Sequence, residues 1–233
     1  MISRPAALPL SDHRARVDQY LRGIDFSFEA VAGRIILERL GLRHARDPVR
    51  PSLVLWACAA QQGEIADALP VAAAFDLFDR CMGLHGELAQ RSGPAAARWG
   101  LGQSLNAGDA LYAVAFRTLT SDVRNPARRL EAARVVGEAV LEALERPEGD
   151  GRASAALTGA ALQAGAVVGG AGQPAVRAFA RAGRLLGKAA ATDGTALAQR
   201  LGSQAVAVLA RHTSRDDLAA LEEVALYIAQ RAA

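Results

Sequence analysis

The chain has 233 residues, of which 51% are apolar but only 5% aromatic, and its formal net charge is +3. This length suits one sizeable core, so we expect a single domain over residues 1–233. Lys188 is the only lysine, and the arginines are interspersed with acids rather than gathered into a stripe, which argues against a nucleic acid partner. Because we find neither a signal peptide nor a membrane span, we expect a soluble, cytoplasmic protein.

Helices are predicted throughout, because Ala and Leu dominate and no run of alternating Val, Ile or Thr suggests a strand. Glycines, prolines and capping residues delimit about ten of them, and the caps include Asn125 before Pro126 and the box from Ser214 to Asp217. The predicted helices cover residues 11–23, 26–43, 52–62, 64–90, 104–120, 126–145, 153–168, 174–191, 195–212 and 216–231. Residues 44–51 are predicted as a loop, with Pro51 in the first turn of the next helix. Short links between many helices are typical of one all-α bundle.

Apolar periodicity predicts which helices are central. Residues 52–62 are apolar on nearly every side, so this helix belongs in the middle of the bundle. One face of the helix at 26–43 is made by Val31, Ile35, Ile36 and Leu40. Along 104–120 the apolar residues at helical spacing are Leu105, Leu111, Val114, Ala115 and Leu119. The small residues of 153–168 permit close approach between helices.

The two cysteines, Cys58 and Cys81, both fall within apolar helical segments. They have neither the spacing of metal ligands nor that of a disulfide framework. We therefore expect two small, buried side chains in a reducing compartment.

Residues 50–55 (RPSLVL) and 106–116 (NAGDALYAVAF) resemble the trans-prenyl diphosphate synthases, and the similarity extends over most of the chain. Gly108-Asp109 is a fairly specific match, although a structural role fits Asp109 better than a catalytic one. The resemblance implies an all-α bundle of the isoprenoid synthase type. It also implies a site in which two facing aspartate clusters hold diphosphates through Mg²⁺.

The first aspartate cluster is largely missing. Where the family has His-Asp-Asp-x-x-Asp, residues 85–90 read HGELAQ, so Glu87 is one carboxylate where three are expected. Mg²⁺ requires several oxygen ligands, and Glu87 is more simply an ordinary surface glutamate. At the second cluster Asp193 is one residue out of register. We therefore predict no cofactor, with Mg²⁺ needed only if a diverged enzyme used Glu87 and Asp193.

The resemblance places carboxylates where the family binds diphosphates with cations. The lysine, arginine and histidine of its homoallylic site align with Asp47, Arg50 and Asp79, and its allylic Lys-Thr aligns with residues 153–154 (Ala-Ser). Arg50 can also be read as a helix-start arginine tied to a loop carboxylate. Arg91 falls on an arginine of the family's Arg-Arg-Gly-x-Pro-Thr. The candidate remnants of a substrate site are Arg50, Arg91, Glu87 and Asp109, with no catalytic residue among them.

These losses favour a non-catalytic relative that acts as a regulatory or scaffolding subunit in isoprenoid biosynthesis. It would pair with itself or with an active prenyl diphosphate synthase, and the resemblance implies that residues near Ala110, Val114 and Arg117 face the second subunit. One alternative is a diverged Mg²⁺-dependent prenyltransferase or terpene synthase. The other is a helical module that binds an isoprenoid or another lipid in its apolar interior.

Overall fold

The computed structural model describes residues 10–24, 26, 31–41, 49–90, 93–145 and 151–231. In this part the chain forms eleven α-helices and no strand, which confirms the all-α prediction. None of these helices combines the length and apolarity needed to cross a membrane. The helices are α1 (Leu10–Arg22), α2 (Val31–Gly41), α3 (Val49–Ala60), α4 (Ile65–Ala89), α5 (Pro94–Trp99), α6 (Leu101–Asp122), α7 (Pro126–Leu144), α8 (Gly151–Val168), α9 (Gln173–Ala190), α10 (Thr195–Leu209) and α11 (Arg215–Gln230).

Two apolar clusters form the core, and α3 and α8 contribute to both. One cluster joins α3 and α8 to α1, α2, α4, α6 and α7, and the other joins them to α9, α10 and α11. Within α3, Val54 and Leu55 belong to the first cluster, whereas Leu53 and Trp56 belong to the second. A helix covered on two sides must be apolar nearly all round, so the predicted central position of this segment is confirmed.

Both helix N-caps that the sequence predicts, at Asn125 and at Ser214, are formed. The Asn125 side-chain oxygen accepts hydrogen bonds from the backbone N–H groups of Ala127 and Arg128, both at 3.1 Å, at the start of α7. At the start of α11, Ser214 Oγ accepts from the N–H of Asp217 at 3.2 Å. These side chains satisfy N–H groups that have no acceptor within the helix.

Most helix ends lie within three residues of the prediction, and the start of α3 and the helix α5 are the two differences with a clear physical cause. The helix expected to begin after Pro51 begins at Val49, because the N–H that proline lacks would have no acceptor in a first turn anyway. The short helix α5 was not predicted. It lies between Gly93 and Gly100, whose φ angles are 107° and 80°, and it is too short to show a clear apolar period.

The apolar face of α6 is narrower than predicted. Leu111, Val114, Ala115 and Leu119 are buried, but Leu105 is 46% exposed. Leu105 precedes Leu111 by six residues, which turns it about 120° away from the buried stripe at 3.6 residues per turn. The inward position seven residues, or about two helical turns, before Leu111 is occupied by the buried Ser104 instead.

Glycines bring α8 into direct contact with its neighbours. A Cβ atom on Gly165 would overlap the carbonyl oxygen of Val54 on α3, and one on Gly183 of α9 would overlap the carbonyl oxygen of Thr158. Only a residue without a Cβ allows backbones this close. The close helix approach predicted for residues 153–168 is therefore confirmed.

Both cysteines are buried free thiols, as predicted. Burial raises the pKa of the Cys58 thiol to about 12 and that of Cys81 to about 11. Neither thiol therefore ionises near neutral pH, so both behave as small core side chains.

Candidate substrate pocket

Arg50 is held by two neighbouring helices. It lies in the first turn of α3, where its Nη1 donates a hydrogen bond to Oδ1 of Asp79 on α4. Its Nε lies 3.4 Å from Oγ1 of Thr158 on α8. The two charged side chains are only 23% and 18% exposed. The predicted tie between Arg50 and a carboxylate thus exists, but the carboxylate lies on a helix rather than in a loop.

This ion pair borders a cavity of about 230 Å³. Its lining residues are Val49, Arg50, Asp79, Ser154, Thr158, Ala190 and Ile228. Arg50 and Asp79 are the only charged residues in this lining, so its formal charges balance. The sequence reasoning overlooked Thr158, although its position four residues after Ser154 places both hydroxyls on one face of α8.

Gly108 and Asp109 lie where α6 crosses α4. A Cβ atom on Gly108 would overlap the ring of His85, so this glycine makes room for the histidine. His85 Nε2 lies 3.6 Å from Oδ1 of Asp109, beyond hydrogen-bond distance. The Asp109 side chain is 67% exposed. The Gly108-Asp109 match therefore has a packing explanation at Gly108, and Asp109 lies at the rim of the same contact.

Glu87 packs against Gly93, the residue before α5. A Cβ atom on Gly93 would lie 2.6 Å from Oε2 of Glu87 and 3.0 Å from its Cβ. Glu87 follows Asp79 by eight residues, which corresponds to about 12 Å along the helix axis. The candidate site residues on α4 thus occupy two separate levels of the helix.

The donor atoms near Glu87 do not match a magnesium cluster. Within the described part of the chain, no three His, Cys, Asp or Glu side chains are grouped closely enough to hold a metal ion. Gly86 and Gln90 contribute no carboxylate, and Asp193 lies exposed in the turn between α9 and α10. Arg91 and Asp47, two further positions singled out from the sequence, lie outside the described residues.

No protein-family model matches the chain. A geranylgeranyl diphosphate synthase of Mycobacterium tuberculosis is 40% identical over 77 residues, which cover 30% of this chain and 22% of that protein. One from Methanosarcina mazei is 26% identical over 180 residues, which cover 67% of this chain and 54% of that protein. The chain thus matches about half the length, or less, of these relatives.

Solved structures with the same fold cover nearly the whole chain. The geranylgeranyl pyrophosphate synthetase of Geoglobus acetivorans superposes with a TM-score of 0.82 at 14% identity, over 95% of this chain and 97% of that one. The geranyl diphosphate synthase small subunit of Antirrhinum majus superposes with a TM-score of 0.75 at 16% identity, over 93% and 96%. The chain is thus similar in sequence to two trans-prenyl diphosphate synthases, and it has the all-helical isoprenoid synthase fold of the prenyltransferases.

Proposed function

We propose that the chain is a non-catalytic member of the trans-prenyl diphosphate synthase family and serves as a regulatory or scaffolding subunit in isoprenoid biosynthesis. The observation that carries this proposal is the pairing of Arg50 with Asp79. By the resemblance of residues 50–55, Arg50 corresponds to an arginine that meets the diphosphate of the homoallylic substrate. Here a carboxylate already compensates its charge, and that carboxylate would repel a diphosphate brought to the same place.

The cavity beside the ion pair supports the same proposal. Its volume of about 230 Å³ is below the roughly 300–1,000 Å³ that is usual for small-molecule sites. Its polar lining beyond the pair consists of the hydroxyls of Ser154 and Thr158. Two neutral hydroxyls and a balanced ion pair give a diphosphate little net attraction.

The absence of a Mg²⁺ requirement is also part of the proposal. Glu87 is the single carboxylate among residues 85–90, and it packs against Gly93. A hard dication binds several oxygen ligands at near-octahedral geometry. One carboxylate leaves most of that coordination to water, so tight binding is not expected.

The proposed partner is a second copy of the chain or an active prenyl diphosphate synthase. Five exposed leucines on two consecutive helices support it, because exposed apolar side chains gain stability when a partner covers them. These α6–α7 leucines are Leu101, Leu105, Leu130, Leu141 and Leu144. The similarity in fold to a protein named as a small subunit is consistent with such pairing.

The interface expected around Val114 needs revision. Val114 is 3% exposed and packs in this chain's own first core cluster, because it lies on the inner stripe of α6. Arg117, three residues later, is exposed. The interface we now propose therefore uses the outer leucines of α6 and α7 and not Val114.

Calorimetry with Mg²⁺ and pyrophosphate tests the proposal. The wild-type protein should show no saturable binding below the millimolar range, whereas Asp79→Asn should bind pyrophosphate about tenfold more tightly because it frees the charge of Arg50. Asp76→Asn is the matched control. It also removes one carboxylate, about one helical turn from Asp79, but that carboxylate pairs with Arg80 and not with Arg50. Cooperative micromolar binding of Mg²⁺ and pyrophosphate by the wild type would contradict a non-catalytic role.

An assay with radiolabelled isopentenyl diphosphate and an allylic diphosphate, in Mg²⁺ or Mn²⁺, separates the alternatives. We expect no product above background. Product that disappears in Glu87→Ala would instead support the diverged enzyme. A hydrophobic molecule that is extracted in stoichiometric amount from the purified protein would support the lipid-binding module.

A further inference from the structure

Four cations lie on one face of α9. Their positions are Arg177, Arg181, Arg184 and Lys188. All four side chains are exposed, and their spacing keeps them within about 60° around the helix and about 16 Å along it. We call this surface the α9 basic face. It corrects the expectation that basic residues are only scattered among acids.

The core fixes the orientation of this face. The opposite side of α9 is buried through residues that include Val176, Phe179 and Leu186, and Gly183 holds the helix against the backbone of α8. The helix cannot rotate to hide its cations without breaking these contacts. The α9 basic face therefore points outward in the folded protein.

Few acidic groups offset this charge. Residues 151–215 contain eight cations but a single acid, Asp193, and neither α9 nor α10 carries an acidic residue. Among the described residues, Arg184 pairs with Glu142 of α7 at 2.7 Å. This pair compensates one of the four cations, so the other three give the α9 basic face its net positive charge.

We infer that the α9 basic face docks on an anionic lipid bilayer. Between the cations, residues 175–191 contain only Ala, Gly, Val, Leu and the buried Phe179. A nucleic acid interface would add Ser, Thr, Asn or Gln contacts to phosphate and sugar, or exposed aromatic rings for stacking. A protein interface would present a large anchoring side chain. An anionic bilayer requires neither polar contact residues nor an anchoring side chain, because its diffuse surface charge is enough to attract cations.

Each cation near an anionic bilayer contributes a factor of about five to the binding constant. Binding through this face should therefore be reversible and should weaken at high salt, where screening acts over only a few ångströms. This inference does not depend on the proposed subunit role, because none of the four cations of the α9 basic face lines the pocket at Arg50.

Vesicle flotation tests the inference. The protein should float with phosphatidylcholine vesicles that contain phosphatidylglycerol, not with phosphatidylcholine alone, and should be released by high salt. The double substitution Arg177→Gln and Arg181→Gln should reduce binding about 25-fold. The matched control, Arg16→Gln with Arg22→Gln, removes the same net charge from exposed positions on α1 and should change binding less than about threefold.

Three results would overturn the inference. The first is a wild-type protein that does not float with the anionic vesicles. The second is an equal loss of binding in the α1 control, which would mean that net charge and not this face is responsible. The third is tighter binding to a short DNA duplex than to vesicles, lost in the α9 variant, which would assign the face to nucleic acid. Circular dichroism checks that each variant is folded.

Discussion

The α8–α9 contact and the outer surface of α7 use apolar residues in opposite ways. Between α8 and α9, Gly183 and Gly187 bring one backbone onto the carbonyl oxygens of the other. On α7, Leu130 is 74% exposed and Leu141 is 61% exposed. Small residues thus allow two helices of the chain to pack closely, whereas the large leucines on α7 are not covered by any of the described helices. The first surface should govern stability, and the second should govern association.

Val114→Arg should have the largest effect on stability. Val114 is buried within the chain, so the substitution buries a charge without a partner, and we expect a loss of about 4 kcal/mol in the free energy of unfolding. Urea denaturation measures it. A variant that kept its stability and only changed its oligomeric state would return Val114 to the subunit interface.

Gly183→Ala should lower the free energy of unfolding by about 3 kcal/mol, because the new Cβ overlaps a backbone oxygen that cannot move away as a side chain does. Gly137→Ala on α7 is the matched control. A Cβ there would meet only Phe116, at 3.8 Å, and replacing a helical glycine should stabilise by about 0.5–1 kcal/mol. Equal denaturation midpoints for the two variants would contradict the tight contact between α8 and α9.

The interior should also respond to acid through His13 on α1. Burial, followed by the charge of Arg16, lowers the pKa of His13 to about 4. The folded protein thus holds this side chain neutral, whereas the unfolded chain binds a proton below about pH 6.5. The folded state therefore keeps its full stability above about pH 6.5 and loses stability as the pH falls towards 4. His13→Leu removes the proton-binding group. As the pH falls from about 6.5 to about 4, the free energy of unfolding of this variant should rise by about 3 kcal/mol relative to that of the wild type. A difference in free energy of unfolding that does not change with pH would show that His13 is not buried as described.

Leu141→Arg should leave the free energy of unfolding within about 0.5 kcal/mol of wild type, because an exposed substitution removes no packing in the chain. It should weaken association with a second copy or a synthase partner by roughly tenfold or more. Sedimentation at micromolar concentration measures this. Leu197→Arg on α10, where the leucine is 42% exposed, is the control. A wild-type protein that sediments as a monomer, with no partner recovered from native cells, would contradict the subunit proposal.

Local sequence patterns determined most of the helices of this protein. Asn125 and Ser214 marked helix starts because capping needs only a side-chain oxygen a few residues from the N–H groups that it accepts from. The all-apolar α3 was identified as central because no side of it could face water. Residues 50–55 and 106–116 carried the resemblance to the trans-prenyl diphosphate synthases. The α9 basic face was equally readable from its spacing and was missed because charge was judged over the whole chain.

Tertiary structure alone decided which groups meet. The Arg50–Asp79 pair joins residues 29 positions apart and the Arg50–Thr158 contact joins residues 108 apart, and neither separation leaves a local signature in the sequence. Val114 is a further example. Its helical spacing on α6 predicts that it is buried, but it does not show which residues cover it. Periodicity defines which residues share one face of a helix, whereas the identity of the surface that covers this face depends on how all the helices pack together.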